Sequence, residues 1–180
     1  SPHPRARLIA IERSPSYDWS RTVVVTAADL AAAGRVNIVH LIAEDQPFLA
    51  DDLVEHAEEA VALVAAATRE EAERAAAHLR VRYEPLPPEL DFERSASAFA
   101  EYRIEKGDIG QGFAAAASIV EGTYSCGSQE HAYIEPNGMV AWPRSDGVRE
   151  VRGSLQCPFY AVGALAHLFG EPPESFRVVQ

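Results

Sequence analysis

Cysteine is scarce in this sequence, and no long apolar run is present. The 180 residues include only two cysteines, Cys126 and Cys157, so a disulfide scaffold is excluded. This cysteine usage suits a reducing compartment, and we predict a cytoplasmic location. No apolar run reaches the roughly 20 residues that a helix needs to cross a bilayer, so we predict no membrane span. These shortages favour an ordinary globular fold.

Basic residues are also few. Lys and Arg together number 16 against 27 Asp and Glu, which gives a formal net charge of -11. Because a nucleic-acid-binding surface needs clustered cations, this balance argues against nucleic acid as a partner. Seven acidic residues fall between Glu44 and Glu59, where no Lys or Arg is present. We interpret this stretch as a solvated acidic face, and a docking surface for a basic protein partner is the alternative.

The first half of the chain alternates β-rich runs with short helical patterns. Thr68 and Glu71 match a capping box, which marks the start of a helix. The apolar stripe of this helix consists of Ala72, Ala75, Ala76 and Leu79. We predict helices over 27–32 and 68–79, a buried strand over 60–66, and further strands over 7–11, 22–26, 37–42 and 81–83.

A polar segment follows a proline cluster and separates the two halves. We place the domain boundary in it, divide the chain into residues 1–95 and 96–180, and assign an α+β fold class. In the second part Asp108 caps a short helix through Ala116, and Pro158 begins a longer helix because its missing N–H costs nothing in the first turn. We predict strands over 118–124, 139–142, 149–154 and 176–180, and a helix face of Phe159, Val162, Ala166 and Phe169.

The two ends of the chain are abrupt. The sequence lacks an initiator methionine and closes on the strand at 176–180, for which the pattern offers neither a partner nor an exit. We therefore expect the chain to be a piece of a longer polypeptide.

Three side chains could bind a metal or carry nucleophilic chemistry. The spacing of Cys126, His131 and Cys157, with Glu130 nearby, fits no familiar zinc pattern, so two buried thiols and a hydrogen-bonded histidine are the simpler interpretation. Cys157 stands at a predicted helix N-terminus, where the dipole favours a thiolate, but no histidine lies close in sequence to activate it. A thiol enzyme using Cys157 is a third-ranked hypothesis.

The junction between a predicted strand and the helix at Pro158 is the most informative segment. Gln156 lies at this junction, where backbone N–H groups of a first helical turn converge on an acceptor and a side-chain amide can donate beside them. A turn glutamine and a ligand-contacting glutamine are both compatible with the residues alone.

Eight short motifs occur in an order that resembles a known family. They are EDQPFLA at 44–50, VALVA at 61–65, TREEA at 68–72, VRYEPLP at 81–87, GD at 107–108, VEGTY at 120–124, QEHAYIE at 129–135 and LQCPF at 155–159. Together they resemble the large, molybdopterin-binding subunit of the xanthine dehydrogenase and aldehyde oxidase family of molybdenum hydroxylases. The resemblance implies an α/β hammerhead-type domain followed by the first part of a mixed α/β molybdopterin-binding domain.

The resemblance also implies a function. Members of the family hydroxylate a purine, another N-heterocycle or an aldehyde with water as the oxygen source, and they pass electrons to 2Fe-2S and FAD centres on partner subunits or domains. Two cysteines cannot hold a four-thiolate cluster, which agrees with that division. The implied partners are the remainder of the subunit, the iron–sulfur and FAD subunits or domains, and a small-molecule substrate, and the complete enzyme is expected to be an oligomer.

One site residue transfers from the family. Gln156 matches the glutamine that hydrogen-bonds the apical oxo ligand of molybdenum, so we expect it to contact the molybdopterin cofactor. The family's catalytic glutamate lies far beyond residue 180, and we therefore expect the 180-residue chain alone to be inactive. Glu58 departs from the family, which usually has glycine there, and suggests a different local backbone. A free-standing, non-enzymatic module that binds a protein partner through its acidic face is the alternative function.

Overall fold

A computed structural model describes residues 1–41, 43–98, 100–132 and 134–180 of the chain. The chain forms two compact units. The larger unit contains residues 1–88 and 135–180, and the smaller unit contains residues 89–134. The sequence-based division at residues 95 and 96 stays a prediction.

The first part of the larger unit contains two antiparallel sheets and two helices. Its elements are β1 (Ala6–Arg13), β2 (Val23–Val25), α1 (Ala27–Ala32), β3 (Leu53–Val54), β4 (Leu63–Ala65), α2 (Arg69–Ala77) and β5 (Leu79–Pro85). One sheet has the order β3-β1-β5, and the other pairs β2 with β4. The core of this part is made of small and aliphatic side chains, namely Ala6, Val24, Ala27, Leu49, Ala50, Val54 and Ala75.

Both helices of this part begin at a threonine cap. Thr26 and Asp29 form a full capping box, in which Thr26 N–H donates to Asp29 Oδ2 at 2.8 Å and Asp29 N–H donates to Thr26 Oγ1 at 3.4 Å. The side chain of Thr68 accepts from Glu71 N–H at 3.2 Å. A full capping box would also need the Glu71 carboxylate to accept from Thr68 N–H. That carboxylate instead pairs with Arg21, whose Nη2 lies 3.5 Å away. Thr68 therefore caps α2, but the capping box predicted there is only half formed.

The second part of the larger unit is a strand–helix–strand arrangement. It contains β6 (Met139–Pro143), β7 (Arg149–Gly153), α4 (Pro158–Phe169) and β8 (Phe176–Val179). β6 and β7 form an antiparallel hairpin, and β8 pairs with β7 in parallel. The prediction that the C-terminal strand lacks a partner is thus wrong, because α4 provides the crossover that brings β8 beside β7.

A buried carboxylate anchors the sheet of β6, β7 and β8. Glu150 in β7 is 3% exposed and accepts hydrogen bonds from Arg152 at 2.5 Å and Arg144 at 3.1 Å. Burial by itself would raise the pKa of this carboxyl, but the arginine hydrogen bonds and the charges of Arg152 and Arg177 together outweigh burial and hold the pKa below its ordinary value. Glu150 is therefore a charged structural residue whose hydrogen-bond donors come from the same hairpin, while Arg177 of β8 lies 4.0 Å away.

The smaller unit has little regular structure in its described residues. It contains a 3-10 turn at Phe92–Arg94 and the helix α3 (Ile109–Ala115). Asp108 caps α3 as predicted, because its carboxylate accepts from Gln111 N–H at 3.0 Å. The strand predicted over 118–124 is wrong, since these residues are irregular and exposed. A β-branched run needs a neighbouring strand, and none pairs with it among the described residues.

Three further predictions need correction. Residues 37–41 form no strand, and only Val39 makes an isolated bridge, to Gln46; Ile42, the last residue of that prediction, lies outside the described residues. β4 is not buried throughout, because the Leu63 side chain is exposed. The stripe predicted on α2 also changes, since Ala76 is exposed and Leu79 belongs to β5.

The acidic stretch is mostly, but not entirely, solvated. Its six other acidic residues are exposed, whereas Glu59 is buried. The Glu59 carboxylate accepts from Glu55 N–H at 2.7 Å, and its carbonyl oxygen accepts from the Ser1 backbone nitrogen at 2.7 Å. Glu59 is therefore a structural acceptor that ties Ser1 to this loop.

Glu58 adopts the backbone conformation that favours glycine. Its φ is 67°, in the left-handed region, and its N–H donates to the Ser1 carbonyl at 2.7 Å. Glu58 thus adopts a glycine-type conformation in this chain, and the expectation that its local backbone differs from that of the family stays a prediction.

Replacing Glu58 with glycine should stabilise the chain. A β-carbon in the left-handed region costs about 1–2 kcal/mol, and glycine removes this cost while losing some chain entropy on folding. We expect the free energy of unfolding of Glu58→Gly to rise by about 1 kcal/mol in urea denaturation. Glu55→Gly is the control, since Glu55 is also exposed but has no positive φ, and it should lower stability. A Glu58→Gly variant less stable than the parent would contradict the strain argument.

Candidate functional site

The candidate site is the junction between β7 and α4. β7 ends at Gly153, Ser154 N–H donates to the Gly138 carbonyl at 3.1 Å, and α4 begins at Pro158 two residues after Gln156. The prediction of a strand-to-helix junction with proline at the first helical position is confirmed. Three irregular residues after Ser154 therefore carry the chain from the sheet edge into the helix.

Cys157 caps α4 with a strained backbone. Its φ is 53° and its ψ is 65°, which is the left-handed conformation, and its side chain makes no capping hydrogen bond. A non-glycine residue in this conformation costs about 1–3 kcal/mol, and such strain is found preferentially at functional sites. The conformation turns the chain sharply at the residue next to Gln156.

The donors at the start of α4 are free to bind a ligand. The Gln156 side chain is exposed and makes no hydrogen bond to any described residue. The N–H groups of Cys157 and Phe159 also have no acceptor within the described ranges, and Pro158 has no N–H to offer. An amide and two backbone donors at the positive end of a helix suit an electron-rich acceptor.

Apolar surface borders these donors. The Phe159 side chain is 88% exposed and that of Tyr160 is 50% exposed, while Ala164 is the buried residue of α4. The predicted helix face is therefore wrong at Phe159, although Gly170 ends the helix as expected, with a φ of 61°. One exposed phenylalanine and one half-exposed tyrosine therefore follow the unpaired donors along the first turn of α4.

The other candidate side chains do not form a site. Both cysteines are free thiols and exposed, so the expectation of buried thiols is wrong. His131 is exposed and makes no side-chain hydrogen bond to the described residues. The structure brings one group of possible metal ligands together among the described residues, and this group includes none of Cys126, Cys157 and His131.

That group is a set of residues that sequence reasoning missed. It consists of His40, Glu44 and His167. His40 and Glu44 show the i, i+4 spacing that could have drawn attention to them, but nothing in the sequence connects them with His167.

No described helix is both long and apolar enough to cross a membrane.

Two family models together match almost the whole chain. Residues 1–87 match the aldehyde oxidase and xanthine dehydrogenase a/b hammerhead domain. Residues 92–180 match the molybdopterin cofactor-binding domain.

Curated relatives agree with the two models. Xanthine dehydrogenase 1 of Arabidopsis thaliana is 32% identical over 179 residues, which cover 94% of this chain and 13% of that protein. A probable xanthine dehydrogenase subunit of Bacillus subtilis is 34% identical over 167 residues, which cover 87% of this chain and 22% of that protein. The chain thus spans less than a quarter of the length of these two relatives.

A solved structure shares the fold. The aldehyde oxidoreductase from Desulfovibrio gigas superposes with a TM-score of 0.78 over 99% of this chain and 22% of its own, at 23% sequence identity. The architecture is thus a hammerhead domain followed by the first part of a molybdopterin-binding domain, which confirms the predicted α+β class. The chain belongs to the xanthine dehydrogenase and aldehyde oxidase family of molybdenum hydroxylases, as a fragment of the large subunit.

Proposed function

We propose that this chain is the N-terminal part of the cofactor-binding subunit of an oxidoreductase that hydroxylates a purine, another N-heterocycle or an aldehyde. Water is the oxygen source in this proposal. The names of the relatives, xanthine dehydrogenases and an aldehyde oxidoreductase, support this substrate range. The chain's own contribution is to position the cofactor, since the family's catalytic glutamate is expected outside these 180 residues.

The observation that carries the proposal is the unpartnered amide of Gln156. A side-chain amide has two N–H donors, and an exposed amide with no protein partner among the described residues is free to donate to a cofactor atom. The left-handed backbone of Cys157 fixes the turn beside it. When bound, the molybdenum cofactor supplies the redox centre of the reaction. Gln156 would hold it by a hydrogen bond, and the free N–H groups of Cys157 and Phe159 would add positive potential around the same acceptor.

The remaining centres belong to other parts of the enzyme. Two exposed cysteines cannot provide the four thiolates of a 2Fe-2S cluster, so we assign the cluster and FAD to partner subunits or domains. The Bacillus subtilis relative is itself named as one subunit of a xanthine dehydrogenase, which is consistent with such a division. The oligomeric state of the complete enzyme and the cytoplasmic location stay predictions.

The exposed apolar residues of the smaller unit support a larger parent. Seven large apolar side chains of this unit are 83% to 97% exposed, namely Leu90, Phe92, Tyr102, Ile104, Val120, Tyr124 and Ile134. Apolar side chains at this density are unusual on a free surface, and the remainder of the subunit would bury them. This surface favours the fragment over the alternative of an independent module that uses its acidic face.

A comparison of two purified proteins tests the proposed function. The complete subunit and the 180-residue chain are expressed in the same host, analysed for molybdenum by mass spectrometry, and assayed for oxidation of xanthine and of an aldehyde together with the electron-transfer partners. We expect molybdenum and activity in the complete subunit only. Oxidation of either substrate by the 180-residue chain alone, or a complete subunit without molybdenum, would contradict the proposal.

A further inference from the structure

A cluster of three metal-binding side chains lies in the larger unit, where the loop 39–46 meets the last turn of α4. His40, Glu44 and His167 each offer one ligand atom, and these atoms all lie within 4.8 Å of one another. His40 Nδ1 is 3.0 Å from Glu44 Oε1, and the rings of His40 and His167 stack with their centroids 5.1 Å apart. We propose that these three side chains bind a Zn²⁺ ion. The proposal is independent of the molybdenum chemistry, because it uses none of the residues at the β7–α4 junction.

The loop that carries two of the ligands is held at its ends. Val39 N–H donates to the Gln46 carbonyl at 2.7 Å, which closes the loop. The Asn37 amide donates to the Leu49 carbonyl at 2.7 Å and accepts from Leu49 N–H at 3.1 Å. The closed loop presents His40 and Glu44 together without help from a metal. Ile42 in this loop lies outside the described residues.

A second contact holds the chain that precedes the loop 39–46 against α4. The Arg35 guanidinium donates to the Phe169 carbonyl and lies 5.8 Å from the centre of the Phe169 ring. Since Phe169 is two residues after His167, this contact places this part of the chain beside the end of α4. The third ligand comes from the last turn of α4, while the first two come from the closed loop.

The donor set selects the class of metal. Two imidazoles and one carboxylate suit Zn²⁺ and similar transition metals, whereas Mg²⁺ and Ca²⁺ prefer oxygen ligands. Zn–N distances of about 2.0–2.1 Å require ligand atoms about 3.3 Å apart in a tetrahedral site. His40 and Glu44 already lie close to this separation. Their side chains are 54% and 63% exposed, so they can turn toward His167 as the ion binds.

The stretch of sequence that carries His40 and Glu44 is acidic. No Lys or Arg lies between Arg35 and Arg69, and six exposed acidic residues fall in this interval, although the Arg35 guanidinium itself contacts Phe169 near His167. Such an excess of one sign raises the local concentration of the opposite ion. Three protein ligands leave a fourth position for water, as in zinc sites that are open to a further ligand.

Isothermal titration of the complete subunit with ZnCl2 tests the site. We expect one Zn²⁺ per chain with a micromolar dissociation constant, and visible absorption typical of four-coordinate Co²⁺ when Co²⁺ replaces Zn²⁺. His40→Ala and His167→Ala should each weaken binding at least tenfold, since even outer-shell changes at metal sites cost about 10–100-fold. Circular dichroism checks that each variant keeps the fold.

The control separates this site from adventitious binding by other histidines. His56 and His131 are exposed and each follows a glutamate, but neither belongs to the cluster. The double variant His56→Ala/His131→Ala should bind Zn²⁺ as the parent does. Absence of stoichiometric binding in the parent, or an equal loss of affinity in this control, would overturn the proposal.

Discussion

Replacing Gln156 with alanine in the complete subunit is expected to lower turnover by about 100-fold or more, because removal of one preorganised donor at a reacting centre costs about 10²–10³-fold. The folded state should be nearly unaffected. The Gln156 side chain is exposed and makes no hydrogen bond to any residue that the structure describes, so its loss leaves no buried group unpaired. Steady-state kinetics and thermal unfolding of the same preparations measure the two effects.

Two further variants make this prediction specific. Gln156→Glu keeps the size of the side chain but, when ionised, can only accept hydrogen bonds, so it should lose turnover as Gln156→Ala does. Gln111→Ala removes an exposed glutamine of α3 and should leave turnover within about twofold of the parent. Full activity in Gln156→Glu would show that the amide is not the donor.

Replacing Gly153 with alanine is expected to lower the free energy of unfolding by about 1–3 kcal/mol, as other overpacking substitutions do. A β-carbon at Gly153 would lie 2.2 Å from the Gly138 carbonyl oxygen and 2.9 Å from Met139 Cα. Both obstacles are backbone atoms at the start of the hairpin, so β6 and β7 must separate locally to accept it. Urea denaturation measures the loss.

Gly163 provides the matched control within the same unit. It lies inside α4, and apart from the backbone of that helix a β-carbon there would meet no atom of the described residues within 4 Å. Gly163→Ala should raise stability by about 1 kcal/mol, because alanine is the better helix former. Destabilisation by Gly163→Ala, or an unchanged stability in Gly153→Ala, would contradict the packing described for the hairpin. In the complete subunit Gly153→Ala should also lower turnover, since Gln156 lies three residues after the displaced position.

Features encoded by neighbouring residues can be predicted from the sequence. The threonine cap of α2, the aspartate cap of α3 and the proline at the start of α4 each depend on a few adjacent residues, and the predicted starts of all four helices lie within one residue of the observed ones. The strands of the hairpin at 139–153 are predictable for the same reason, since their turn lies between them. The position of Gln156 at the end of this hairpin follows directly.

Features that depend on distant partners cannot be predicted in this way. The β-branched residues at 37–41 and 118–124 resemble strands, but a strand forms only where another strand pairs with it, and none pairs with these runs among the described residues. The pairing of β8 with β7 could not be predicted from the sequence, because the whole of α4 separates the two strands along the chain. The contact between the rings of His40 and His167 also depends on packing between residues far apart in the sequence, so the sequence spacing of the two histidines could not predict it.

The sharpest test of the account is the distance from Gln156 Nε2 to the nearest oxygen of the molybdenum cofactor in a crystal structure of the complete, cofactor-loaded subunit. The account predicts a hydrogen bond of about 2.7–3.2 Å, donated from the start of α4. An amide directed away from the cofactor, with every cofactor oxygen beyond about 3.5 Å, would contradict the assignment of Gln156.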